Sequence, residues 1–314
     1  MAKIDSEQKK VLPIVEYPEI PSQIIEAYNK KRLVIFIGAG VSRLVGCKGW
    51  DELAHELINK CHEAISEKNG RLFNYNTKYK LSQISDHRKI ITICKKLLER
   101  EEKESLFYDV LKEALDVGDK SGKDNLIYME LFSLQAKYVT TNADDKFSRL
   151  FEEIKVIRNL KSINLRQLEM SELLHIHGSI LDIDTLVFDL PSYFKRYSNS
   201  EFVGNLSNIF NNNTVLFLGY GLGELEILEF LFQKCQNPSV EPMYLLNGYL
   251  SSEQDYLKLE QSYYDSMNIK IIPFSLDRIG FKQLSHVIHE WVSTLHANTT
   301  LKSDALELID EVVR

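Results

Sequence analysis

What this chain lacks narrows its class before any motif is read. Cysteine occurs only four times in 314 residues, at Cys47, Cys61, Cys94 and Cys235, and no two of them form a Cys-x-x-Cys pair. Thiols scattered in this way support neither a disulfide framework nor a zinc ribbon, and read as free thiols in a reducing cytoplasm. No apolar run approaches the length needed to cross a bilayer, and the polar opening Met1–Lys10 does not read as a signal peptide. Basic residues are outnumbered, 38 Lys and Arg against 45 Asp and Glu, and the net charge of −7 argues against direct nucleic-acid binding. Repeats and low-complexity tracts are absent. What remains is an ordinary globular composition, 44% hydrophobic and 26% charged, enough to build a sizeable core.

The positive signal begins with Leu33-Val34-Ile35-Phe36-Ile37, an unbroken apolar run closed by Gly38-Ala39-Gly40. Short, β-branched runs bounded by glycine read as buried parallel strands. Lys137–Thr140, Leu173–Ile176, Thr214–Leu218 and Met243–Leu246 read in the same way, and Ile269–Ile272 makes a sixth, halted by Pro273. Helical spacing lies between them, in Trp50, Leu53, Ala54, Leu57 and Ile58, in Leu106, Val110 and Leu111, and in Leu225, Leu228, Leu231 and Phe232. Alternating strands and helices predict an α/β fold, a Rossmann-like doubly wound parallel sheet. The expected division is a lead-in over 1–20, a main α/β domain over 21–297 with a smaller, mostly helical insertion over about 51–132, and a C-terminal helix or linker over 298–314.

Four strand ends carry chemistry. Gly38-Ala39-Gly40-Val41-Ser42 is a glycine turn of the kind that lets backbone approach a phosphate, although Arg43 stands where a dinucleotide fingerprint has its third glycine. Asn142 and Asp144, in Thr140-Thr141-Asn142-Ala143-Asp144, offer groups for ribose hydroxyls and a carboxamide; a helix-capping role for Asp144 or Asp145 is the plain alternative. His175 and His177 share a face, and His177, beside Gly178, is the better placed general base. Gly219-Tyr220-Gly221 forms a second glycine turn, expected to face the first across a cleft. Other features read blandly: Lys95, Lys96, Arg100 and Lys103 interleave with glutamates on a solvated helix, and Tyr193, Phe194 and Tyr197 either pack or edge the cleft.

In this order the motifs resemble the sirtuin family: Gly38–Ser42 its first NAD loop, Thr141–Asp144 its Gln-Asn-Ile-Asp segment, His177-Gly178 its catalytic His-Gly, and Gly219-Tyr220-Gly221 its Gly-Thr-Ser loop. The zinc-binding cysteine pairs of the protein-deacetylating members are missing. So is their Pro-Asp-Phe-Arg segment, near whose place lies Lys48-Gly49-Trp50-Asp51. The pattern is closer to the zinc-free sirtuin-like effector domains of bacterial antiphage defence, which hydrolyse NAD. That resemblance implies a cytoplasmic NAD+ glycohydrolase that takes NAD+ as substrate, releases nicotinamide and ADP-ribose, and contains no zinc. Asn142 and His177 are its expected catalytic residues. Gly38, Ala39, Gly40 and Ser42 are expected at the pyrophosphate, Asp144 at the carboxamide, and Gly219 and Gly221 near the adenosine. It further implies a homo-oligomer gated by a phage protein or partner subunit. A regulatory module that binds NAD or ADP-ribose without turnover and a zinc-free protein deacylase are the alternatives.

Overall fold

A computed structural model describes residues 13–69, 73–116, 126–158, 168–220 and 242–297. The helix read at Leu225–Phe232, Gly221 and the segment 298–314 lie outside the described residues.

Seven parallel strands make one sheet: β1 (Leu33–Ile37), β2 (Lys137–Thr140), β3 (Lys155–Ile157), β4 (Glu172–His175), β5 (Thr214–Leu218), β6 (Met243–Tyr249) and β7 (Ile269–Ser275). Their order is β3-β4-β2-β1-β5-β6-β7. The chain thus fills one side of β1 first, reaching the edge at β3 before β4 inserts beside β2, and then winds outward on the other side through β5, β6 and β7. The strand order reverses at β1, which is where open α/β sheets form their ligand crevice, beyond the carboxyl ends of the strands. Both faces of the sheet are covered. Leu33, Ile35 and Ile37 of β1 pack into one apolar cluster with α1 (Ser22–Asn29), α7 (Leu126–Ser133) and the helix over 283–297. Val34 and Phe36 pack into a second cluster with α10 (Ser200–Asn212) and the helix Gln254–Asp265. Alternate residues therefore serve opposite layers, and the strand reads as unbroken hydrophobicity.

Several details depart from the expected strands: β4 lies one residue earlier than read, β6 runs three residues further, to Tyr249, and the two edges differ more. β3 carries no apolar run: Lys155 is exposed and pairs with Glu172, and only Ile157 is buried. A short charged strand is a common way to finish a sheet edge. At the other edge, β7 continues through Pro273 to Ser275. Ser275 N donates outward to Val15 O at 2.8 Å. Pro273, two residues earlier, turns its nitrogen to that same outer side, where a missing N–H costs no ladder bond.

Between β1 and β2 every regular element among the described residues is helical: α2 (Ala39–Leu44), α3 (Trp50–Asn69), α4 (Tyr75–Ser82), α5 (His87–Arg100), α6 (Ser105–Leu115) and α7. Helices α3 to α6 surround a third apolar cluster that includes Leu57, Cys61, Ile91, Cys94, Phe107 and Leu111. Side-chain caps start two of them, Asn74 accepting from Thr77 N and Asp86 from Lys89 N. Cys47, Cys61 and Cys94 are free and buried. Among the described residues no helix is long and apolar enough to cross a membrane, and no group of three or more His, Cys, Asp or Glu is arranged to hold a metal.

Candidate functional site

Strands β1, β2, β4 and β5 end together on the carboxyl side of the sheet and bring Gly38, Asn142, His177 and Gly219 to neighbouring loops. The two glycine turns do not face each other across a cleft. They touch. Gly38 N donates to Leu218 O at 2.9 Å and Gly40 N to Gly219 O at 2.8 Å. A Cβ on Gly38 would lie 2.5 Å from Gly219 O, and Gly219 itself adopts φ +60°. These glycines let two adjacent strand ends approach closely, and the contact engages amides that the sequence reading assigned to a phosphate. Ala39, Gly40 and Gly219 line one wall of a cleft of about 1480 Å³, whose lining also draws on α3 and α5.

Behind this wall lies a buried polar relay. Asn142 Nδ2 donates to Gly38 O (2.9 Å) and to Ser42 Oγ (2.7 Å), and Ser42 Oγ donates to Asp144 Oδ2 (2.5 Å). With both amide hydrogens of Asn142 engaged, its Oδ1 remains as an acceptor for a ligand hydroxyl or water. Asp144 Oδ1 accepts from Lys146 N (3.2 Å) and Tyr128 (3.4 Å). Burial raises the Asp144 carboxyl above its ordinary range, against the Ser42 bond and the nearby His175. Ser42, expected at the pyrophosphate, is 5% exposed and belongs to this relay. Ser42, Asn142 and Asp144 line a small cavity of about 40 Å³, closed on its apolar side by Trp50, Leu53 and Phe188. The Trp50 and Phe188 rings are 5.3 Å apart. The small cavity shares Ala39, Gly49 and Trp50 with the large cleft.

His175 and His177 have separate environments. His175 Nδ1 donates to Asn142 O at 2.9 Å, and burial pushes its pKa down although Asp145 opposes the shift. His177 is 3% exposed and lines neither cavity. Its Nε2 bonds the Tyr197 hydroxyl at 2.8 Å, while Nδ1 is buried without a hydrogen bond. Desolvation, then the charges of Arg196 and Arg88, push its pKa down to about 3. The cover is α9 (Leu190–Tyr197), whose Tyr193 and Tyr197 rings stack at 4.5 Å and meet the imidazole edge-on. Helix α9 is in turn fastened to α5, through Lys95 Nζ to Asp189 Oδ2 (2.6 Å) and Leu190 N to Thr92 Oγ1 (3.0 Å). Tyr193 and Tyr197 are thus packing residues, Phe194 is exposed, and Lys95 is no solvated charge.

Sequence reasoning missed Asp145. It is fully buried, accepts from Arg158 (2.9 Å) and Ser179, and lies 3.9 Å from His175 Nε2. Together with Ile180 N to Ala143 O (2.9 Å) it ties the Asn142 loop to the His177 turn. An aspartate beside a candidate N-cap offered no sign of this role, because Arg158 and Ser179 arrive from different strands.

Two comparisons with known proteins give matches. Residues 136–272, which run from the start of β2 into β7, match the family model of the SIR2-like domain. The chain is also 25% identical over 271 residues to Defense-associated sirtuin 2 of Bacillus subtilis, an alignment that covers 81% of this chain and 24% of that protein. The chain therefore spans about a quarter of the length of this relative.

Proposed function

We propose that this chain, which carries a SIR2-like domain over residues 136–272, is an NAD+ glycohydrolase that cleaves the bond between nicotinamide and ribose. The observation that carries the reading is the junction of the small Asn142–Ser42–Asp144 cavity with the large cleft, at the strand ends where the sheet reverses. The cleft offers room for the body of a dinucleotide. The small cavity combines an aromatic wall with a free amide oxygen and a buried carboxyl, which suits an aromatic carboxamide and its ribose.

In the reaction a water oxygen bonds to ribose C1′ as the glycosidic C–N bond breaks. The bonding pair moves to the pyridinium nitrogen and neutralises it, so the leaving group needs no acid. Asn142 Oδ1 holds a ribose hydroxyl or the water. His177 takes the water proton and passes it to solvent. Positioning and electrostatics supply most of the rate in such a site. Because α9 covers His177, the described arrangement is a resting state, and turnover requires α9 to shift. That fits gating by self-association or by a partner. By analogy with the name of the B. subtilis relative, we place the activity in defence against phage, where loss of NAD+ would halt an infected cell.

The test is nicotinamide release from NAD+ by the purified chain, alone and with candidate activators. Asn142→Ala and His177→Ala are each expected to lower release by at least about a hundredfold, the scale of a lost general base, with the circular dichroism spectrum intact. Normal turnover by a folded His177→Ala protein would remove the base assignment. The burial of His177 also favours a second reading, a module that binds the dinucleotide without cleaving it. Tight binding without release under every activating condition would establish that reading instead.

A further inference from the structure

We propose that Arg43 and Lys89 hold the diphosphate of the dinucleotide with their side chains, in place of the amides of the glycine turn. The inference rests on the dinucleotide reading above and assigns the residues that meet its anionic part.

A diphosphate needs oriented N–H groups or cations around it. At the first glycine turn three amides are engaged: Gly38 N with Leu218 O, Gly40 N with Gly219 O, and Val41 N with Gly38 O at 3.1 Å. The backbone contact that makes glycine necessary at 38 and 40 occupies the first two of these donors. With so few amides left to it, most of the anion's partners must be side chains that line the cleft.

Arg43 is the first of these. It stands where a dinucleotide fingerprint has glycine, one turn beyond Ala39 and Gly40, and lines the large cleft with them. It is exposed, and no hydrogen bond or ion pair engages its guanidinium among the described residues. Gly49 keeps space between it and Asp51, since a Cβ there would lie 2.8 Å from Asp51 Oδ1 and 3.4 Å from Arg43 Cζ and Nε. A guanidinium presents a planar fork that matches two phosphate oxygens at once. Lys89 is the second. It lies in the first turn of α5, where its backbone N–H is engaged by the Asp86 cap while its exposed ammonium has no ion pair among the described residues. Charge supports the pairing. The whole chain carries −7, yet Arg43, Arg88 and Lys89 outnumber Asp51 and Asp86 in the cleft lining.

The measurement is calorimetric titration of the full chain with carba-NAD, whose carbocyclic linkage cannot be cleaved, and with adenosine, which has no phosphate. Arg43→Gln and Lys89→Gln should each weaken carba-NAD about tenfold, the scale of one lost charged hydrogen bond, and should leave adenosine unchanged. Arg43→Lys should recover part of the loss, as charge without the fork. Both side chains are exposed, so the variants keep the fold, and their melting temperatures should match the parent. Unchanged carba-NAD affinity in Arg43→Gln and Lys89→Gln overturns the proposal while the dinucleotide reading stands. Equal weakening of adenosine also overturns it, because the effect would not belong to phosphate. A parent chain that binds neither molecule refutes the dinucleotide reading itself.

Discussion

His177 is a basic side chain held where a charge is costly. Its pKa of about 3 in the folded chain lies below the ordinary 6.5, chiefly because burial strips water from the imidazolium. Unfolding releases it to solvent, where it binds a proton more readily, so the linkage has a definite sign. The stability it contributes is complete above pH 6.5 and is lost as pH falls toward 3, by about 1.4 kcal/mol per pH unit within that window. A His177→Gln variant should lose less stability than the parent between pH 6.5 and 4, and the two melting curves should converge as the pH falls. Parallel curves would mean that the imidazole is not held neutral. Asp144 has the opposite character. Burial raises its pKa, so its ionised form works against folding at neutral pH, and the Ser42 bond offsets part of that cost.

At the scale of elements, α9 sets the exposure of His177. Burial works to raise the carboxyl of Asp189, but the Lys95 contact and the bonds from Ser192 outweigh it and hold the group below its ordinary range. That carboxylate both caps α9 and binds α5. Lys95→Met should therefore loosen α9 and speed modification of His177 by diethyl pyrocarbonate several-fold, as read by mass spectrometry; unchanged protection would show that the aromatic stack alone holds the helix. No sequence pattern announced this fastening, because Lys95 sits in a run of alternating charges in which Lys96, Arg100, Glu102 and Glu104 are exposed; Lys103, also read as solvated, instead donates to Ala64 O at 2.6 Å. The sheet was more legible. β1, β2 and β5 have the bounds read from the sequence, because the apolar residues of each are buried on both faces and leave no polar alternation inside the run. β3 was invisible for the opposite reason, as an edge strand with a single buried residue. Of the site, the strand-end residues were legible because glycine, asparagine and histidine are unusual there. Their mutual contacts were not: that Gly40 meets Gly219, or that Asp145 gathers Arg158 and Ser179, depends on which strands lie side by side.

At the scale of the whole molecule, the buried apolar side chains among the described residues form three clusters, one on each face of the sheet and one within α3 to α6. The third meets the rest through polar and ring contacts that include Trp50 against Phe188, Lys48 N to Ala114 O at 3.0 Å, Lys95 to Asp189, Leu190 N to Thr92 Oγ1 and Arg88 over Tyr193. A bundle with its own core, joined to the rest mainly by such contacts, should open as a unit below the free energy needed to open the sheet. Hydrogen exchange followed by mass spectrometry should then show α3, α5 and α6 exchanging together at a lower opening free energy than β1 and β5. Leu57→Ala, which empties a fully buried site in the bundle, should lower that opening energy by about 2–5 kcal/mol and leave the sheet's protection almost unchanged. Exchange of bundle and sheet in a single step, equally shifted by Leu57→Ala, would mean that the helices between β1 and β2 are not a unit of their own. The outcome bears on the proposed activity, because the bundle supplies both Lys89 at the cleft and Lys95 under α9. If it opens independently, whatever binds it can change the cleft and the exposure of His177 together without disturbing the sheet that positions Asn142.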